Sequence, residues 1–338
     1  MTAGEERAGV ALSSLDSALV DGDPATKRDL VDYLDVVADR MVPVLADRPL
    51  SVIRVRPGQE PFMQKNLPRY TPDWVRSTVI RSQTGRDVRY ALCDDRRTLL
   101  WLANQRSVEY HPALFTVGAD RASQLVLDLD PPEGAGFPAV VAVAHLVREA
   151  LAGSGLTGAV KTSGSKGVHV VVPLAPTPFD DAAAATRALA ARTERLDPGI
   201  ATTAFLREER EGKVFVDSTR AGGATVVAAY SPRVRPGLPV SFPLRWDELD
   251  EVSPTDFTLR TAPDLLADRP SWTEALPAPQ ELPADLLEEG HAIPVARVQA
   301  MHEGKRRKRA ASEHTASEHT ASDHAASEHT ASDEARKG

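Results

Sequence analysis

The sequence predicts an α+β fold, on three observations. Amphipathic stretches of helical period occur in several places, short apolar runs of strand length occur between them, and the two kinds do not alternate in a regular βαβ order. With 338 residues, of which 42% are hydrophobic, the chain is long enough for one large domain or two smaller ones and can bury a sizeable core.

The first third of the chain combines one helix with several strands. Residues 24–47 place leucine, valine and methionine near helical spacing behind Pro24, which predicts a helix. Three short apolar runs, SVIRVR, VRYALC and TLLWLAN, then predict strands. These runs lie at 51–56, 88–93 and 98–104.

The rest of the chain mixes both kinds of element. Helical spacing predicts helices at about 137–152 and 180–196. Apolar runs predict strands, among them LVLDLD, which two prolines end, and two strands that bracket a Gly-Gly turn. In chain order these segments lie at 125–130, at 159–174 as strand-turn-strand, and at 213–218 and 225–231.

Composition divides the chain into three predicted regions. KRRKR is followed by near-repeats such as ASEHT, without large apolar residues, so this part cannot offset its ordering entropy and we expect it to be disordered. The predicted regions are an N-terminal extension at 1–23, the main domain at 24–302, and a tail of basic and His-Ser-Ala repeat sequence at 303–338.

Charge and cysteine content restrict the function classes. The net charge of −8 at first argues against a nucleic-acid partner, so any phosphate binding needs a local basic patch. The single cysteine, Cys93, excludes an intramolecular disulfide framework and a cysteine-rich zinc site. Neither a signal peptide nor a run of about 18 apolar residues is present, so we expect a cytoplasmic protein that does not bind membranes.

Two carboxylates stand in the predicted strand LVLDLD. Residues i and i+2 of a strand point to the same face, so Asp128 and Asp130 share one, about 6.6 Å apart along the strand at roughly 3.3 Å per residue. Like charges so placed repel unless a positive group lies between them, and a hard divalent cation takes carboxylate oxygens. A strand end whose acids simply reach solvent is the alternative.

The stretch KTSGSKGVHV is a second polar cluster. Its glycines let the backbone approach a ligand and leave N–H groups free for phosphate. Ser163, Lys166 and His169 add polar groups, of which the lysine supplies a point charge and the histidine a donor. The order of residues is not that of a Walker P-loop, and a merely polar hairpin is the alternative.

A third acid and two arginines complete the set. Asp217 ends the apolar run KVFVD, and three acids at strand ends could hold two metals, which stand about 3.5–4 Å apart in nucleotidyl transfer. Arg233 and Arg235 of YSPRVRPG would share one face of a strand, an arrangement suited to triphosphate or template phosphates.

These motifs, in the order DLD, SGSKGVH, VFVD and YSPRVRP, resemble the archaeo-eukaryotic primase superfamily. More narrowly, the chain resembles the polymerase domain of bacterial ligase D in a free-standing version, over roughly residues 25–255 and including DRPLSVIRVRPG, FMQKNLP, LLWLANQ and PLRWDEL. The resemblance implies a primase-like fold with a mixed or antiparallel catalytic sheet flanked by helices. It also implies that residues 24–302 are a primase-polymerase catalytic domain.

The resemblance implies a role for each matching residue. The catalytic, metal-binding residues it implies are Asp128, Asp130 and Asp217, with two Mn²⁺ or Mg²⁺ ions. The nucleotide-binding residues are Ser163, Lys166, His169 and Arg233, with Arg210 as a further candidate upstream. The DNA-binding residues are Arg54, Phe62, Lys65 and Arg235, and Lys27, which matches a lysine that holds the 5′-phosphate at a gap or break.

The chain departs from the family pattern at three points. Position 17, where the family commonly has a second lysine for the 5′-phosphate, is Ser17. The family often has two adjacent aromatic residues that stack on the template, and this chain has Phe62 and Met63 at these positions. One aromatic ring is therefore missing, and stacking on such a ring is worth about 1–3 kcal/mol per base. The loop after Asp217 is about one residue shorter, which bears on sugar selectivity.

The predicted function is template-dependent nucleotidyl transfer, adding NTPs or dNTPs to DNA 3′-ends in gap filling or non-homologous end joining. Primer synthesis is the enzymatic alternative, and a degenerate DNA-end-binding accessory to a separate ligase is the non-enzymatic one. Expected partners are DNA with gaps or double-strand breaks and nucleoside triphosphates. The resemblance further suggests Ku and a separate ATP-dependent DNA ligase acting in trans, and a place at the nucleoid in the cytoplasm.

Overall fold

A computed structural model describes residues 5–81, 86–220 and 225–295. Its helices are α1 (Lys27–Leu45), α2 (Arg96–Asn104), α3 (Phe137–Gly153), α4 (Phe179–Leu196), α5 (Ala262–Leu266), α6 (Trp272–Ala275) and α7 (Ala284–Ala292). Its strands are β1 (Glu6–Arg7), β2 (Val10–Ala11), β3 (Leu50–Arg56), β4 (Gln59–Gln64), β5 (Ser77–Arg81), β6 (Asp87–Ala91), β7 (Ser107–Pro112), β8 (Ala122–Asp130), β9 (Ala159–Thr162), β10 (Val168–Thr177), β11 (Ala201–Thr202), β12 (Val214–Asp217) and β13 (Pro243–Leu244).

The chain divides into two units by its contacts. The larger one consists of residues 1–203 and 210–293 and contains all the helices and strands above. The smaller one consists of residues 204–209 and 294–338, and its described residues include a 3-10 turn at Arg207–Glu209.

The strands form two main sheets and a small hairpin. The six-stranded sheet has the order β11-β12-β8-β10-β9-β13 and is antiparallel except for the β11–β12 pair. The second sheet has the order β4-β3-β6-β5, with β7 also paired to β3, and its pairs are antiparallel. This mixed α+β architecture confirms the predicted fold class.

Helix α1 begins at a capping box that the sequence encodes. The Thr26 side chain accepts the N–H of Asp29, whose carboxylate accepts the N–H of Thr26. Such reciprocal capping satisfies two of the free N–H groups at a helix start. The helix therefore starts three residues later than Pro24, at Lys27, and buries Leu34 and other apolar residues in the core.

Along strand β8, side chains alternate between the apolar core on one face of the sheet and the candidate site on the other. Leu127 and Leu129 are fully buried and belong to the same apolar core as Val140 of α3 and Leu189 of α4, two helices that contact β8. Asp128 and Asp130 alternate with these leucines and so point to the other face. The two helices thus leave one face of the sheet available for polar chemistry.

Two predicted strands are wrong. The run TLLWLAN at 98–104 lies in helix α2, because Asp95 caps the N–H of Thr98 at 2.6 Å and a short apolar run does not distinguish helix from strand. The run at 225–231 forms no strand, only an isolated bridge at Thr225, and Tyr230 turns the chain with a φ of +70°.

The arginines after this run do not lie on a strand either. The N–H of Arg235 donates to the carbonyl of Arg233 at 2.9 Å, so the segment is a turn and the predicted shared strand face is wrong. The Gly-Gly turn and the tail at 303–338 fall outside the described residues. In the described part of the chain, none of the helices has the length and apolar character needed to cross a membrane.

Candidate active site

Four polar residues form one row across the six-stranded sheet. Asp217 of β12 lies opposite Asp128 of β8, Asp128 lies opposite His169 of β10, and His169 lies opposite Lys161 of β9. Directly opposite residues on antiparallel strands project to the same face of the sheet. The register therefore brings two acids, a histidine and a lysine together from four separate stretches of sequence.

Asp130 adds a third carboxylate at the acidic end of the row. It is the last residue of β8, on the same face as Asp128, and one oxygen from each of Asp128, Asp130 and Asp217 lies within 4.8 Å of the others. Asp128 and Asp217 are only 8% and 5% exposed, so their charges are costly without a cation nearby. These three carboxylates fit a divalent metal, as their residue types predicted.

Arg220 faces two of the three acids. Its Nε lies 3.3 Å from Asp128 Oδ2 and 3.2 Å from Asp217 Oδ2, yet this buried nitrogen has no well-directed hydrogen-bond partner among the described residues. Arg220 pairs with only two of the three acids, and the raised pKa of Asp130 shows that the charge of the third is disfavoured, which further favours a bound cation.

The two acids of β8 have pKa values displaced in opposite directions. Burial raises the pKa of Asp130 to about 6, and the charges of Asp128 and Asp217 add to the rise. Burial acts the same way on Asp128, but His169 and Arg220 outweigh it and lower the pKa of Asp128 to about 2. A cation among the carboxylates would remove the repulsion that keeps Asp130 partly protonated.

The histidine and lysine of the row are in direct contact. Lys161 Nζ lies 2.8 Å from His169 Nδ1, and His169 Nε2 lies 3.1 Å from Asp128 Oδ1. Burial lowers the pKa of Lys161 to about 7 and, together with the charge of Lys161, lowers the pKa of His169 to about 4. Sequence reasoning selected His169 but missed Lys161, although both stand in the same motif.

The turn between β9 and β10 is organised by Ser163. Its Oγ accepts the N–H groups of Gly167 at 3.1 Å and Ser165 at 3.3 Å. A Cβ at Gly167 would lie 2.3 Å from the carbonyl oxygen of Leu129, so only glycine allows the turn to approach β8 this closely. Lys166 is exposed at the tip of the turn, where its ammonium is free to meet a phosphate.

Arg233 holds this turn from the other side. Its Nη1 donates to the carbonyl of Ser163 at 2.6 Å, and its Nε lies 3.1 Å from Glu109 Oε2. Gly164 has a φ of +68°, and a Cβ there would lie 2.7 Å from Arg233 Cγ. The arginine is therefore placed directly beside the turn.

Glu109 of β7 is a further residue that sequence reasoning missed. Its Oε1 accepts the N–H of Val234 at 2.8 Å, and its Oε2 lies 2.9 Å from His111 Nε2. Burial raises the pKa of Glu109, but His111, the charge of Arg233 and the Val234 N–H outweigh it and lower the pKa to about 2. A lone glutamate in a strand carries no motif that could have revealed this contact.

Arg210, the further nucleotide-binding candidate, lies at the acidic end of the row. Its guanidinium carbon is 3.8 Å from the centre of the Phe215 ring, and Phe215 lies opposite Asp130 across the β8–β12 pair. The charge of Arg210 also opposes the rise in the pKa of Asp130. The structure thus brings the predicted catalytic residues to one face of the six-stranded sheet and the predicted nucleotide-binding residues to that face, to the β9–β10 turn or to loops beside them.

Lys27 is not on the surface. It is 3% exposed, and its Nζ donates to the Ser13 carbonyl and to Asn104 Oδ1, both at 2.6 Å. Burial, with a contribution from the charge of Arg106, lowers the pKa of Lys27 to about 8. The predicted DNA contact therefore already binds two neutral acceptors, one of which, Asn104, belongs to the family-like block LLWLANQ.

A second cation stands near Lys27 at the position that departs from the family pattern. Arg106 Nη2 donates to Ser17 Oγ at 2.7 Å, and its Nη1 donates to the Ala18 carbonyl at 2.9 Å. The carbonyl of Ser17 accepts the N–H of Lys27 at 3.0 Å. An arginine therefore lies against the residue where the family commonly has a lysine.

The other predicted DNA-binding residues lie apart from the row. Arg54 is buried and donates to the Gln105 carbonyl at 2.7 Å, while its guanidinium lies 5.9 Å from the centre of the half-buried Phe62 ring. Lys65 and Arg235 are exposed. The geometry leaves Lys65 and Arg235 accessible to a phosphate backbone and gives Arg54 a structural contact.

Comparison with known proteins identifies several relatives. Residues 26–272 match the family model described as LigD, primase-polymerase domain. The chain is 34% identical over 258 residues to the bifunctional non-homologous end joining protein LigD of Bacillus subtilis, covering 75% of this chain and 41% of that one. It is also 34% identical over 263 residues to the multifunctional non-homologous end joining DNA repair protein LigD of Mycobacterium tuberculosis, covering 74% of this chain and 34% of that one.

A solved structure extends the similarity to three dimensions. The polymerase domain of Mycobacterium tuberculosis ligase D, in complex with DNA, matches with a TM-score of 0.74 and 32% sequence identity. The match covers 80% of this chain and 98% of that domain. The chain thus spans nearly all of that polymerase domain but less than half of the longer LigD proteins.

Proposed function

The chain belongs to the LigD primase-polymerase domain family, and from this we propose that it is a template-dependent nucleotidyltransferase. It adds NTPs or dNTPs to DNA 3′-ends during gap filling or non-homologous end joining. The relatives named above are end-joining proteins, which supports this role over primer synthesis.

The observation that carries the proposal is the row Asp217–Asp128–His169. It places a cluster of three acids directly beside a histidine and a glycine-containing turn, on one face of one sheet. Nucleotidyl transfer needs a metal site next to a triphosphate site, because the reacting α-phosphate lies between them. A non-enzymatic accessory role would not need three intact acids so placed.

The metal site consists of Asp128, Asp130 and Asp217. Two Mn²⁺ or Mg²⁺ ions bound there would activate the 3′-hydroxyl and stabilise the charge that develops on the leaving pyrophosphate. Asp128 and Asp130, which share one face of β8, would hold both ions, and Asp217 would help to hold the ion that activates the hydroxyl. Until they are neutralised, the same acids repel an anionic nucleotide.

The triphosphate site is the β9–β10 turn with its neighbours. Lys166 and Arg233 supply positive charge, and His169 supplies a directed N–H donor beside Asp128. Ser163 fixes the backbone N–H groups of the turn, and Arg210 stands at the acidic end. The reaction itself breaks the bond between the α- and β-phosphates while a new phosphodiester bond forms at the 3′-oxygen.

DNA with gaps or double-strand breaks is the proposed partner. Lys65 and Arg235 are exposed and meet the phosphate backbone, while Phe62 stacks on the template. We propose that Ku and a separate ATP-dependent ligase complete the repair in trans, and that the chain acts at the nucleoid.

The test compares nucleotide addition on three substrates. Primer extension is measured on a gapped duplex, on a simple primed template and on an unprimed template, each with and without Mn²⁺. The proposal predicts metal-dependent extension, strongest on the gapped duplex. Product on the unprimed template at a comparable rate would favour primer synthesis, and no product on any substrate would contradict the proposal.

A further inference from the structure

Lys161 is a buried cation to which the proposed reaction assigns no part. It is 3% exposed and lies opposite His169 across the β9–β10 pair. Its Nζ lies 2.8 Å from His169 Nδ1, 3.0 Å from the Val227 carbonyl oxygen and 2.7 Å from Ser241 Oγ. An ammonium group has three N–H donors, so these three contacts match its full capacity.

Two of the three contacts have a fixed direction. A carbonyl oxygen only accepts, so Lys161 donates to Val227. Ser241 donates its only hydroxyl hydrogen to the Thr162 carbonyl at 2.8 Å, and therefore accepts from Lys161. The third N–H of Lys161 is left for His169 Nδ1, which must then carry a lone pair.

The other side of the imidazole leads to the same conclusion. His169 Nε2 lies 3.1 Å from Asp128 Oδ1, where a lone pair on Nε2 would be repelled by the ionised carboxylate, so this side also favours the hydrogen on Nε2. In the reverse arrangement Lys161 would be an amine accepting from an imidazolium. Because an alkylammonium is ordinarily the much weaker acid of the two, the proton stays on Lys161.

We propose that Lys161 is a positioning residue that holds His169 as the neutral tautomer with its hydrogen on Nε2, so that the imidazole presents an N–H to the anion bound beside the acids. The identity of that anion as a nucleoside triphosphate rests on the proposed function; the tautomer does not. The opposite tautomer would direct a lone pair at phosphate oxygens and repel them. Two strands thus cooperate, one carrying the donor and its neighbour fixing the direction of that donor.

The direct test is the protonation state of His169 by nitrogen NMR. Protein labelled with ¹⁵N-histidine, without metal or nucleotide, is recorded at neutral pH, and the His169 signals are assigned by their loss in His169→Gln. The proposal predicts a neutral ring with hydrogen on Nε2 alone. A ring with hydrogen on Nδ1, or an imidazolium, in the unmodified protein would overturn it without any further variant.

Two variants test whether Lys161 is the cause. Lys161→Met keeps the length of the side chain but removes the donor, and the single Nε2–H state should give way to forms protonated on Nδ1. Ser241→Ala removes an acceptor of Lys161 but no contact of His169, and should keep the wild-type signals. If Lys161→Met is folded and its His169 signals are those of the wild type, Lys161 does not set the tautomer.

Nucleotide binding separates this inference from the proposed function. Lys161→Met should weaken NTP binding roughly 10-fold, the loss of one charge-assisted contact, with unchanged affinity for gapped DNA. Unchanged NTP binding by a folded variant that has lost the tautomer would show that the donor direction is unimportant. If the unmodified protein shows the predicted tautomer but transfers no nucleotide, the proposed function fails while the assignment of Lys161 stands.

Discussion

The buried Glu109 and the half-buried Arg233 form an ion pair, with 3.1 Å between Glu109 Oε2 and Arg233 Nε. Arg233 in turn donates to the Ser163 carbonyl. The pair therefore connects β7 of the five-stranded sheet to the β9–β10 turn of the six-stranded sheet. It also explains why an arginine on a turn, with no strand to orient it, is held in one position.

Glu109→Gln should change how stability depends on pH. The pKa of Glu109 is lowered to about 2 in the folded protein, against an ordinary value of 4.5. An acid whose pKa is lowered in the folded state stabilises the protein at pH values above its unfolded-state pKa. This stabilisation is lost as the pH falls from about 4.5 to about 2. The full contribution is about 3 kcal/mol at 1.36 kcal/mol per unit. Chemical denaturation at several pH values should show the difference between wild type and variant shrinking over this window.

A control distinguishes this pair from general acid sensitivity. Asp247→Asn alters a largely exposed acid, whose side chain is 73% exposed. The free energy of unfolding of this variant should follow that of the wild type at every pH, because exposed ion pairs contribute little to stability. An equal, pH-independent loss of stability in Glu109→Gln would mean that the glutamate acts through shape rather than charge.

His169→Ala and Arg233→Ala should both weaken binding of the incoming nucleotide, and Arg233→Ala should also lower stability because it leaves the buried Glu109 without its ion-pair partner. Charge-assisted contacts are typically worth about 1.5–3 kcal/mol, which corresponds to roughly 10- to 150-fold in apparent affinity. The measurement is the concentration dependence of single-nucleotide addition, together with DNA affinity by gel shift. A loss confined to DNA affinity would assign these residues to the template instead.

Asp130→Asn should stabilise the protein without metal and abolish its response to metal. Burial and two neighbouring carboxylates raise the pKa of Asp130, so its ionised form is disfavoured in the folded state. The neutral amide removes that repulsion, and we expect a rise of about 1–3 kcal/mol in the free energy of unfolding at pH 7. Thermal melts with and without Mn²⁺ should show the wild type, but not the variant, gaining stability with metal.

Lys27→Ala and Arg106→Ala should each reduce a weak preference for a 5′-phosphate at a gap. Lys27 is buried on two neutral acceptors, and Arg106 lies against Ser17, so neither is a free surface cation. We therefore expect only a few-fold preference in the wild type, because each cation would have to exchange existing hydrogen bonds for a phosphate contact.

Binding to gapped duplexes with and without the 5′-phosphate, at one salt concentration, measures this preference. Thermal melts check that loss of the Lys27 contacts has not unfolded the N-terminal segment. A strong preference that survives both substitutions would place the phosphate elsewhere.

The local part of the site could be predicted from sequence, because strand alternation alone puts Asp128 and Asp130 on one face. The glycines of SGSKGVH likewise predicted a tight polar turn. Residues joined by register could not be predicted in this way. Lys161 meets His169, and Glu109 meets Arg233, only because particular strands pair in particular registers. The burial of Lys27 also depends on distant Ser13 and Asn104.

The errors in the fold have similar causes. The run at 98–104 is apolar enough for either a strand or a helix, and the cap at Asp95 decides for the helix. The residues around Arg233 look extended because valine and proline are frequent there, but a hydrogen bond between Arg235 and Arg233 closes a turn. In both places a single polar contact overrides the apolar pattern.

The most direct test of the central claim is transfer of a labelled nucleotide to the 3′-end of a gapped duplex by wild type, Asp128→Asn and the surface control Asp250→Asn. The wild type and Asp250→Asn should extend the primer with Mn²⁺, because Asp250 lies outside the row and its side chain is 62% exposed. Asp128→Asn should give no product while remaining folded, with a melting temperature at or below that of the wild type, because His169 and Arg220 favour the ionised form of Asp128. Extension by folded Asp128→Asn at a rate near that of the wild type would contradict the account.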